Sequence, residues 1–189
     1  MTPRATAVRD AALTLFAERG YRGTTMRAIA EAVGLQAPAL YNHVNSKQQL
    51  LEEIMVATIE RLIDDFGEAI STTDNPAEQL RRGVEAHVRY HARHRFEAFV
   101  GNRELFNLAE PARAKQVSLR STYERGFRDV IERGSATGQF DVSSARLAAY
   151  AILEMGIGVS VWFRPDGPLT ESAVALRYGE FALRMVSAR

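Results

Sequence analysis

The chain has 189 residues, of which 46% are hydrophobic and 25% are charged, and its formal net charge is +1. These values are ordinary for a soluble globular protein with one large domain or two small ones. The absence of Cys excludes disulfides, thiolate metal sites and a Cys nucleophile. The sequence shows neither a signal-peptide core nor an apolar run near the roughly 18 residues of a membrane span, so we expect a cytoplasmic protein without membrane contact.

The charges are unevenly distributed over the first 70 residues. Residues 1–47 have six basic and three acidic side chains, a net of +3, whereas residues 48–70 have one basic and six acidic side chains, a net of −5. A basic segment followed by an acidic one indicates that only the first meets a polyanion. On charge alone, however, two solvated helix faces are the better explanation.

Hydrophobic periodicity predicts an all-α fold of nine helices without strands. Gly20 and Gly34 end the first and second helices, and Thr24-Thr25 caps the second. Ser46 is the predicted N-cap of a fourth helix of about 25 residues. Gln49, at the third position of that helix, completes a capping box. The predicted helices cover about 6–19, 25–34, 37–43 and 47–70, then a helix from 75, and about 95–108, 112–137, 143–163 and 170–187.

The second and third helices have the residues of two short helices that cross at a steep angle. Ala30 is small at the crossing, Gly34 allows the chain to reverse, and Leu40 anchors the third helix. The outward face of the third helix is small or polar and almost uncharged, which suits contact with DNA base edges better than a solvated face would. Its residues are Gln36, Ala37, Pro38, Tyr41, Asn42 and His43.

Two helix starts next to this face suit DNA phosphates. Thr24, Thr25 and Arg27 lie at the start of the second helix, and Lys47 lies at the start of the fourth. Free backbone amides and the positive end of the helix dipole attract anions, and a hydroxyl or ammonium group adds to this. Equally, the Thr residues can serve only as helix caps.

The segment TTMRAIAEAVGLQAPALYNHVNSKQQLL resembles the DNA-binding domain of TetR-family transcriptional regulators, and the match covers roughly residues 4–62. The shared features are the Thr-Thr-x-Arg start, the Ala and Gly around the turn, the Leu-Tyr pair and the Ser-Lys that follows. The resemblance implies a homodimer on a near-palindromic operator, with the third helix in the major groove. By position, Gln36, Ala37 and Pro38 would meet bases, Tyr41 and His43 bases or backbone, and Thr25, Arg27 and Lys47 phosphates. Gln36, Ala37 and Val44 depart from the usual residues, which leaves the operator sequence open.

Aromatic and Arg side chains combine on the predicted sixth and seventh helices. An inward-facing Arg needs an anion, so an amphipathic ligand could place its apolar part on the aromatic rings and a carboxylate or phosphate on Arg. An internal pair with Glu104 or Glu124, or an Arg that reaches the surface, explains the pattern equally well. The predicted ligand residues are Phe96, Phe99, Arg103, Phe106, Arg120, Tyr123, Phe127, Met155 and Trp162.

Metal and catalytic motifs are weak. His87 and His91 have the spacing of a chelating pair, and His94 follows, but no Cys or carboxylate motif accompanies them. No nucleophile motif or phosphate-binding glycine loop is present in the sequence. We therefore predict no metal, no cofactor and no enzymatic activity.

The last two predicted helices have small residues at close-packing spacing, namely Gly156 with Ser160, and Ala175 with Gly179 and Ala182. Such residues let helices approach closely, either across a four-helix subunit interface or inside one chain. The sequence leaves both possibilities open, and the TetR resemblance favours the subunit interface.

The C-terminal part resembles, through NREL, SLRSTYERGFRDVI and AILEMGIGVSVWFRPDGPLT, a TetR subgroup that regulates fatty-acid and steroid catabolism. That resemblance implies an acyl-CoA thioester effector. The sequence thus predicts a DNA-binding domain over 1–46 and an effector-binding and dimerisation domain over 47–189, in a repressor released from DNA by an amphipathic ligand. The alternatives are a regulator of efflux or drug response that binds a hydrophobic compound, a DNA-binding protein without an effector, and an enzyme.

Overall fold

The computed structural model describes residues 2–187, and 77% of these residues are helical. The all-α prediction is confirmed. When α8 and α9 are counted as the two parts of one broken helix, the described residues form the nine helices that the sequence predicts. The helices are α1 (Pro3–Gly23), α2 (Met26–Ala32), α3 (Ala37–Leu40), α4 (Lys47–Ser71), α5 (Pro76–Arg93), α6 (Arg95–Arg103), α7 (Ala112–Ala136), α8 (Ala145–Ile157), α9 (Val159–Trp162) and α10 (Glu171–Met185), with a 3-10 turn at Leu105–Asn107 between α6 and α7.

Side-chain caps begin the helices where the sequence predicts them. The Thr25 hydroxyl accepts a hydrogen bond from the Ala28 amide at 3.1 Å, which satisfies one of the free amides at the start of α2. At α4, the Ser46 hydroxyl accepts from the Gln49 amide at 3.1 Å, and the Gln49 side chain accepts from the Asn45 amide at 2.8 Å. The predicted capping arrangement is therefore present.

The main differences from the prediction concern helix ends. The third helix ends at Leu40 and not near residue 43, and residues 41–43 form a turn. Gly20, with φ 73° and ψ 160°, kinks α1 instead of ending it, and one further turn follows. The predicted sixth helix ends at Arg103, because the chain tightens into the 3-10 turn, so Phe106 does not share a helix face with Phe96 and Phe99. The predicted eighth helix breaks between Ile157 and Val159 at Gly158, a residue that weakens helices.

The chain divides into two compact units, and the described part of the first consists of residues 2–59 and 96–118. Its core packs α1–α3 against the first half of α4, with Phe16, Ile29, Leu40 and Ile54 fully buried. The predicted boundary at 46/47 therefore falls inside this unit, because the apolar stripe of α4 continues the core of α1–α3. The segment from α6 to the start of α7 also belongs to this unit, through Val100, Leu108 and Ala112.

The described part of the second unit consists of residues 60–95 and 119–187. The Phe66 ring fills a space where a Cβ atom at Gly83 or Gly126 would lie within 2.8 Å of it. The small residues of the last helices also pack internally. Gly156 faces His87, and Gly179 faces Arg81 and Glu85 of α5. Of the two possibilities that the sequence leaves open, these residues serve packing inside one chain.

Candidate functional site

Helices α2 and α3 are joined by a tight turn that depends on Gly34. Its φ of 68° lies in the left-handed region that glycine adopts without strain, and the Leu35 amide donates to the Ala30 carbonyl at 2.9 Å. Leu40 is fully buried and anchors α3 on the core of the first unit. This arrangement fixes one face of α3 inward and leaves the other at the surface.

The outward face predicted from the sequence lies at the surface. Gln36, Pro38 and Asn42 are exposed, Tyr41 is 53% exposed, and Ala37 and His43 are half-buried. These side chains present an amide, a phenol, an imidazole and small apolar groups, which are the kinds of group that read base edges. The structure thus leaves Gln36, Pro38, Tyr41 and Asn42 accessible and His43 partly accessible, on α3 and the turn after it, and we call this surface the α3 face. Ala37 instead packs partly against the core of the first unit.

At the start of α2, the three predicted residues divide between surface and interior. Thr25 and Arg27 are exposed, and Arg27 pairs with Glu31 at 2.8 Å on the same helix. Thr24 is only 1% exposed, and its single O–H group lies within hydrogen-bond distance of the Gly20 carbonyl at 2.9 Å and of the Leu15 carbonyl at 3.1 Å. The Thr24 side chain therefore holds α1 together and cannot reach a phosphate.

Lys47 is half-buried and has close partners within the first unit. Its ammonium group donates to the carbonyls of Tyr21 and Thr24 at 2.8 and 2.7 Å, and it lies 4.2 Å from the centroid of the Tyr21 ring. Burial lowers the pKa of Lys47 below its ordinary value, while the charge of Glu104 opposes this shift. Two of the three N–H donors of Lys47 therefore hold the turn before α2.

The sequence did not predict a group of polar residues that joins the 3-10 turn to α1 and α4. Glu104 accepts from the Tyr21 amide, and Gln48 donates to the Asn107 carbonyl at 2.6 Å and to the Tyr21 hydroxyl at 2.8 Å. Arg22 donates to the Asn107 side chain at 3.0 Å. These contacts join residues more than 25 positions apart, so no local pattern indicates them.

The predicted ligand residues of the first unit lie at its surface. The Arg103 guanidinium is 4.7 Å from the centroid of the Phe99 ring, as in a cation–π contact. Phe96 is exposed, and Phe106, on the 3-10 turn, is 83% exposed. Within this unit the four residues do not form an enclosed apolar site.

The predicted ligand residues of the second unit lie at different depths. Tyr123 and Phe127 are buried, and their rings pack against each other at 5.4 Å between centroids. Met155 is half-buried, and Trp162 is 44% exposed. Burial lowers the pKa of Arg120, and the charge of Glu154, which the sequence prediction did not consider as a partner, opposes this shift.

The histidines on α5 serve the core of the second unit. The Nε2 of His87 donates to the Leu153 carbonyl at 3.0 Å, so its Nδ1 accepts from the Tyr123 hydroxyl at 2.9 Å. The Nδ1 of His91 donates to the His87 carbonyl at 2.8 Å. Burial lowers the pKa of His91 to about 4 and that of His87 well below its ordinary value, so both rings are neutral at pH 7.

An open groove along α4 and α5 of the second unit is lined by charged side chains, not by the predicted ligand residues. Arg61 pairs with Asp65 at 2.7 Å, and Arg89 pairs with Glu85 at 2.9 Å. The groove is thus lined largely by ion pairs and contains none of the aromatic residues that the sequence predicts for an effector site.

Two family models match the chain. The model described as bacterial regulatory proteins, tetR family, matches residues 8–54, and the model described as tetracyclin repressor-like, C-terminal domain, matches residues 73–186. The first match contains α2 and α3, and the second covers most of the C-terminal helices.

Known regulators are similar over nearly the whole length. The HTH-type transcriptional repressor KstR2 of Rhodococcus jostii is 31% identical over 178 residues, which are 93% of this chain and 87% of that protein. A tetR-family regulatory protein from Rhodococcus RHA1 superposes with a TM-score of 0.93 at 32% identity over 100% of both chains. AibR, solved with isovaleryl coenzyme A and operator DNA, superposes with a TM-score of 0.86 at 25% identity over 98% of this chain and 100% of that one. The protein is a DNA-binding transcriptional regulator, not an enzyme, and it belongs to the TetR family.

Proposed function

We propose that this regulator binds a near-palindromic operator as a homodimer, represses transcription from it, and is released by an acyl-CoA ester. The observation that carries the DNA part of the proposal is the α3 face. Exposed amide and phenol side chains and a half-buried imidazole, on α3 and the turn after it, form a surface that suits the major groove and is anchored by Leu40.

Phosphate contacts are assigned to the residues next to this face. Thr25 and Arg27 are exposed at the start of α2, where free amides and the helix dipole favour an anion. Lys47 contributes its remaining N–H donor. Thr24 is left out of the interface, because its side chain is buried and its hydroxyl lies against backbone carbonyls in the interior.

The subunit interface is assigned to the apolar outer face of the last helices, which we call the α8–α10 face. Its exposed residues are Leu147, Tyr150, Val161, Leu176, Phe181 and Met185. The segment Ala145–Trp162 has a mean hydropathy of 1.2, and only 33% of it is buried within the chain. By length and composition alone it could span a membrane, so the expectation that the sequence has no apolar run of this length was wrong. We assign this surface to a second subunit, since a regulator that binds operator DNA works in the cytoplasm.

The effector is assigned from chemistry and from one similar protein. AibR was solved with isovaleryl coenzyme A, and an acyl-CoA ester combines an apolar acyl group with anionic phosphates. In the second unit, Arg120 offers a partly desolvated cation, and the half-buried Met155 and the exposed Trp162 offer apolar and aromatic surface. We leave Tyr123 and Phe127 out, because both rings are buried in the core, where the Tyr123 hydroxyl donates to His87 and the Phe127 ring packs on Phe66 at 4.3 Å between centroids.

A binding assay with a duplex that the protein selects from a random library tests the DNA part. Tyr41→Ala should weaken binding by about tenfold or more, since a groove-facing aromatic is lost, while helix content and dimer mass stay unchanged. Val117→Ala, at an exposed apolar residue of α7, is the matched control and should bind like the parent. Unaltered affinity of Tyr41→Ala at fixed salt would contradict the assignment of the α3 face.

A further inference from the structure

Glu104 is a buried carboxylate in the first unit, and the proposed DNA contacts do not include it. Only 7% of the residue is exposed, and both of its oxygens have partners. The Oε1 atom accepts from the Tyr21 amide at 3.2 Å, and the Oε2 atom accepts from the Asn107 side-chain amide at 2.5 Å. Burying a carboxylate is costly unless hydrogen bonds compensate for it. The two hydrogen bonds of Glu104 therefore indicate a structural role for this acid.

The kink in α1 explains this role of Glu104. At Gly20 the backbone leaves the helical conformation, so the Tyr21 amide starts a new turn without the helical partner that it would otherwise have. The Glu104 carboxylate takes the place of that partner from 83 residues further along the chain. A Cβ atom at Gly20 would lie 3.7 Å from Oε1, an ordinary contact, so glycine is needed here for its φ of 73° and not for space.

Lys47 holds the same turn from its other side. While the Tyr21 amide donates to Glu104, the carbonyls of Tyr21 and Thr24 accept from the Lys47 ammonium. The turn from Tyr21 to Thr24 is thus held between an acid and a base. Thr25, the N-cap of α2, follows directly.

The 3-10 turn that bears Asn107 is attached to α4 by further hydrogen bonds. The Gln48 side-chain amide donates to the Asn107 backbone carbonyl at 2.6 Å, and the Gln48 side-chain oxygen accepts from the Ala109 amide at 3.2 Å. Glu104 is therefore fixed relative to α4 as well as to α1, which makes it a rigid support and not a mobile surface acid.

We propose that Glu104 is a positioning residue for DNA binding, whose carboxylate holds the Tyr21–Thr24 turn so that Thr25 and Arg27 at the start of α2 can engage phosphate. The inference rests on the phosphate contacts of the proposed function. It makes operator affinity depend on a side chain outside the family's DNA-binding segment, which ends at residue 54. A movement of residues 104–107 that withdraws this carboxylate lowers DNA affinity without altering the α3 face.

The test compares Glu104→Gln with Glu110→Gln. The first variant keeps the shape of the side chain and one acceptor but removes the charge. The second removes the same charge from an exposed acid of the same unit, which pairs with Arg113 at 2.7 Å within its own turn. Loss of a negative charge near DNA by itself strengthens binding, so long-range electrostatics and positioning predict opposite signs for Glu104→Gln.

The readouts are amide hydrogen exchange at Tyr21 and the dissociation constant for the duplex selected by the protein. For Glu104→Gln we expect exchange at Tyr21 to be about tenfold faster and DNA binding to be about five- to tenfold weaker, because a charge-assisted bond is lost and the competent turn is less populated. The number of counterions released should stay the same, since Glu104 itself touches no phosphate. Glu110→Gln should exchange normally and bind as tightly as the parent or slightly more tightly.

Asn107→Ala keeps the inference testable if Glu104→Gln unfolds, because it removes the Oε2 partner and the exposed contact with Arg22 but leaves the carboxylate and its bond to the Tyr21 amide in place. It should give a smaller loss of affinity together with faster exchange at Tyr21. Equal or tighter DNA binding by a folded Glu104→Gln, or by Asn107→Ala with faster exchange, overturns the inference. Tyr41→Ala in the same assay separates the two proposals, since its unaltered affinity would reject the α3 face and leave the Glu104 result to decide the positioning role.

Discussion

At the scale of single residues, the two histidines of α5 show how burial in the core decides between metal binding and a structural role. His87 and His91 have the spacing of a metal-binding pair, yet their ring nitrogens bind Tyr123 and two backbone carbonyls. A neutral imidazole satisfied in this way stabilises the core only while it stays unprotonated. The cost of protonating it therefore becomes a pH dependence of folding.

We expect the free energy of unfolding to fall as the pH is lowered from 6.5 towards 4. The folded-state pKa of His91 is lowered to about 4 and that of His87 is also low, so only the unfolded chain takes up these protons in that window. Each histidine contributes a slope of about 1.4 kcal/mol per pH unit. Urea unfolding at pH 7, 6 and 5 measures this slope. The lowered pKa of Glu78, at about 2, acts only at more acidic pH, so a flat profile between 6.5 and 5 would contradict the burial of both rings.

Lys47 shows why a correct local motif does not define a residue's role. The Ser-Lys after α3 indicates a phosphate contact, and the position at the start of α4 supports it. In the structure, however, two of its three N–H donors hold backbone carbonyls that lie 26 and 23 residues earlier in the chain. Periodicity describes neighbours on one helix, and it cannot show which distant carbonyls a long side chain reaches.

At the scale of helices, small residues determine how closely α8 and α10 approach α5. A Cβ atom at Gly156 would lie 2.2 Å from the Cδ2 atom of His87, which two hydrogen bonds hold in place. Gly156→Ala should therefore destabilise the protein by about 1–3 kcal/mol. Gly67→Ala on α4, where the new Cβ meets nothing within 4 Å, is the matched control and should stabilise by up to about 1 kcal/mol. Urea unfolding at pH 7 compares the two, and equal stabilities would contradict the packing at His87.

The α8–α10 face leads to a separate prediction about assembly. Phe181→Glu places a charge among exposed apolar residues that we assign to the subunit interface, and desolvating that charge is costly, so it should convert the dimer into a 21.0 kDa monomer. Val117→Glu makes a similar change on an exposed apolar residue of the first unit and should leave the dimer intact. Light scattering at micromolar concentration measures both masses. A Phe181→Glu dimer as stable as the parent would show that the interface lies elsewhere.

The helices themselves were largely predictable, and their partners were not. Caps at Thr25 and Ser46 and the turn at Gly34 are local signals, and the structure has them where the sequence indicates. Small residues on α8 and α10 show that something packs closely, but a pattern on one helix does not say whether the neighbour belongs to the same chain. Phe106 continues the helical spacing of α6, and only the 3-10 turn after Arg103 removes it from that face.

At the scale of the whole molecule, the proposed effector response depends on charge at Arg120. Acyl-CoA esters should release the protein from its selected duplex, whereas free CoA should not, because burial of the acyl group supplies most of the affinity, at about 25 cal/mol per Å². Arg120→Met keeps the length of the side chain and removes its charge, so it should bind DNA normally but respond to the ester at a concentration about tenfold higher or more. Anisotropy titrations of the protein–duplex complex measure both effects.

Three outcomes of that titration would redirect the proposal. If Arg120→Met responds as the parent does, Arg120 has a structural role beside Glu154. If an uncharged hydrophobic compound releases the protein and the ester does not, the regulator senses such compounds instead. If neither releases it, the protein binds DNA without an effector.

Base preference tests the central claim, recognition of DNA by a symmetric pair of α3 faces, most directly. Each base pair of the selected duplex is substituted in turn, and the affinities of the parent and of Gln36→Ala are compared at fixed salt. Gln36 is exposed at the N-cap of α3, so its loss should relax the preference at one position in each half-site, symmetrically, by about 1–3 kcal/mol. An unchanged preference profile, or a change in only one half-site, would contradict the account.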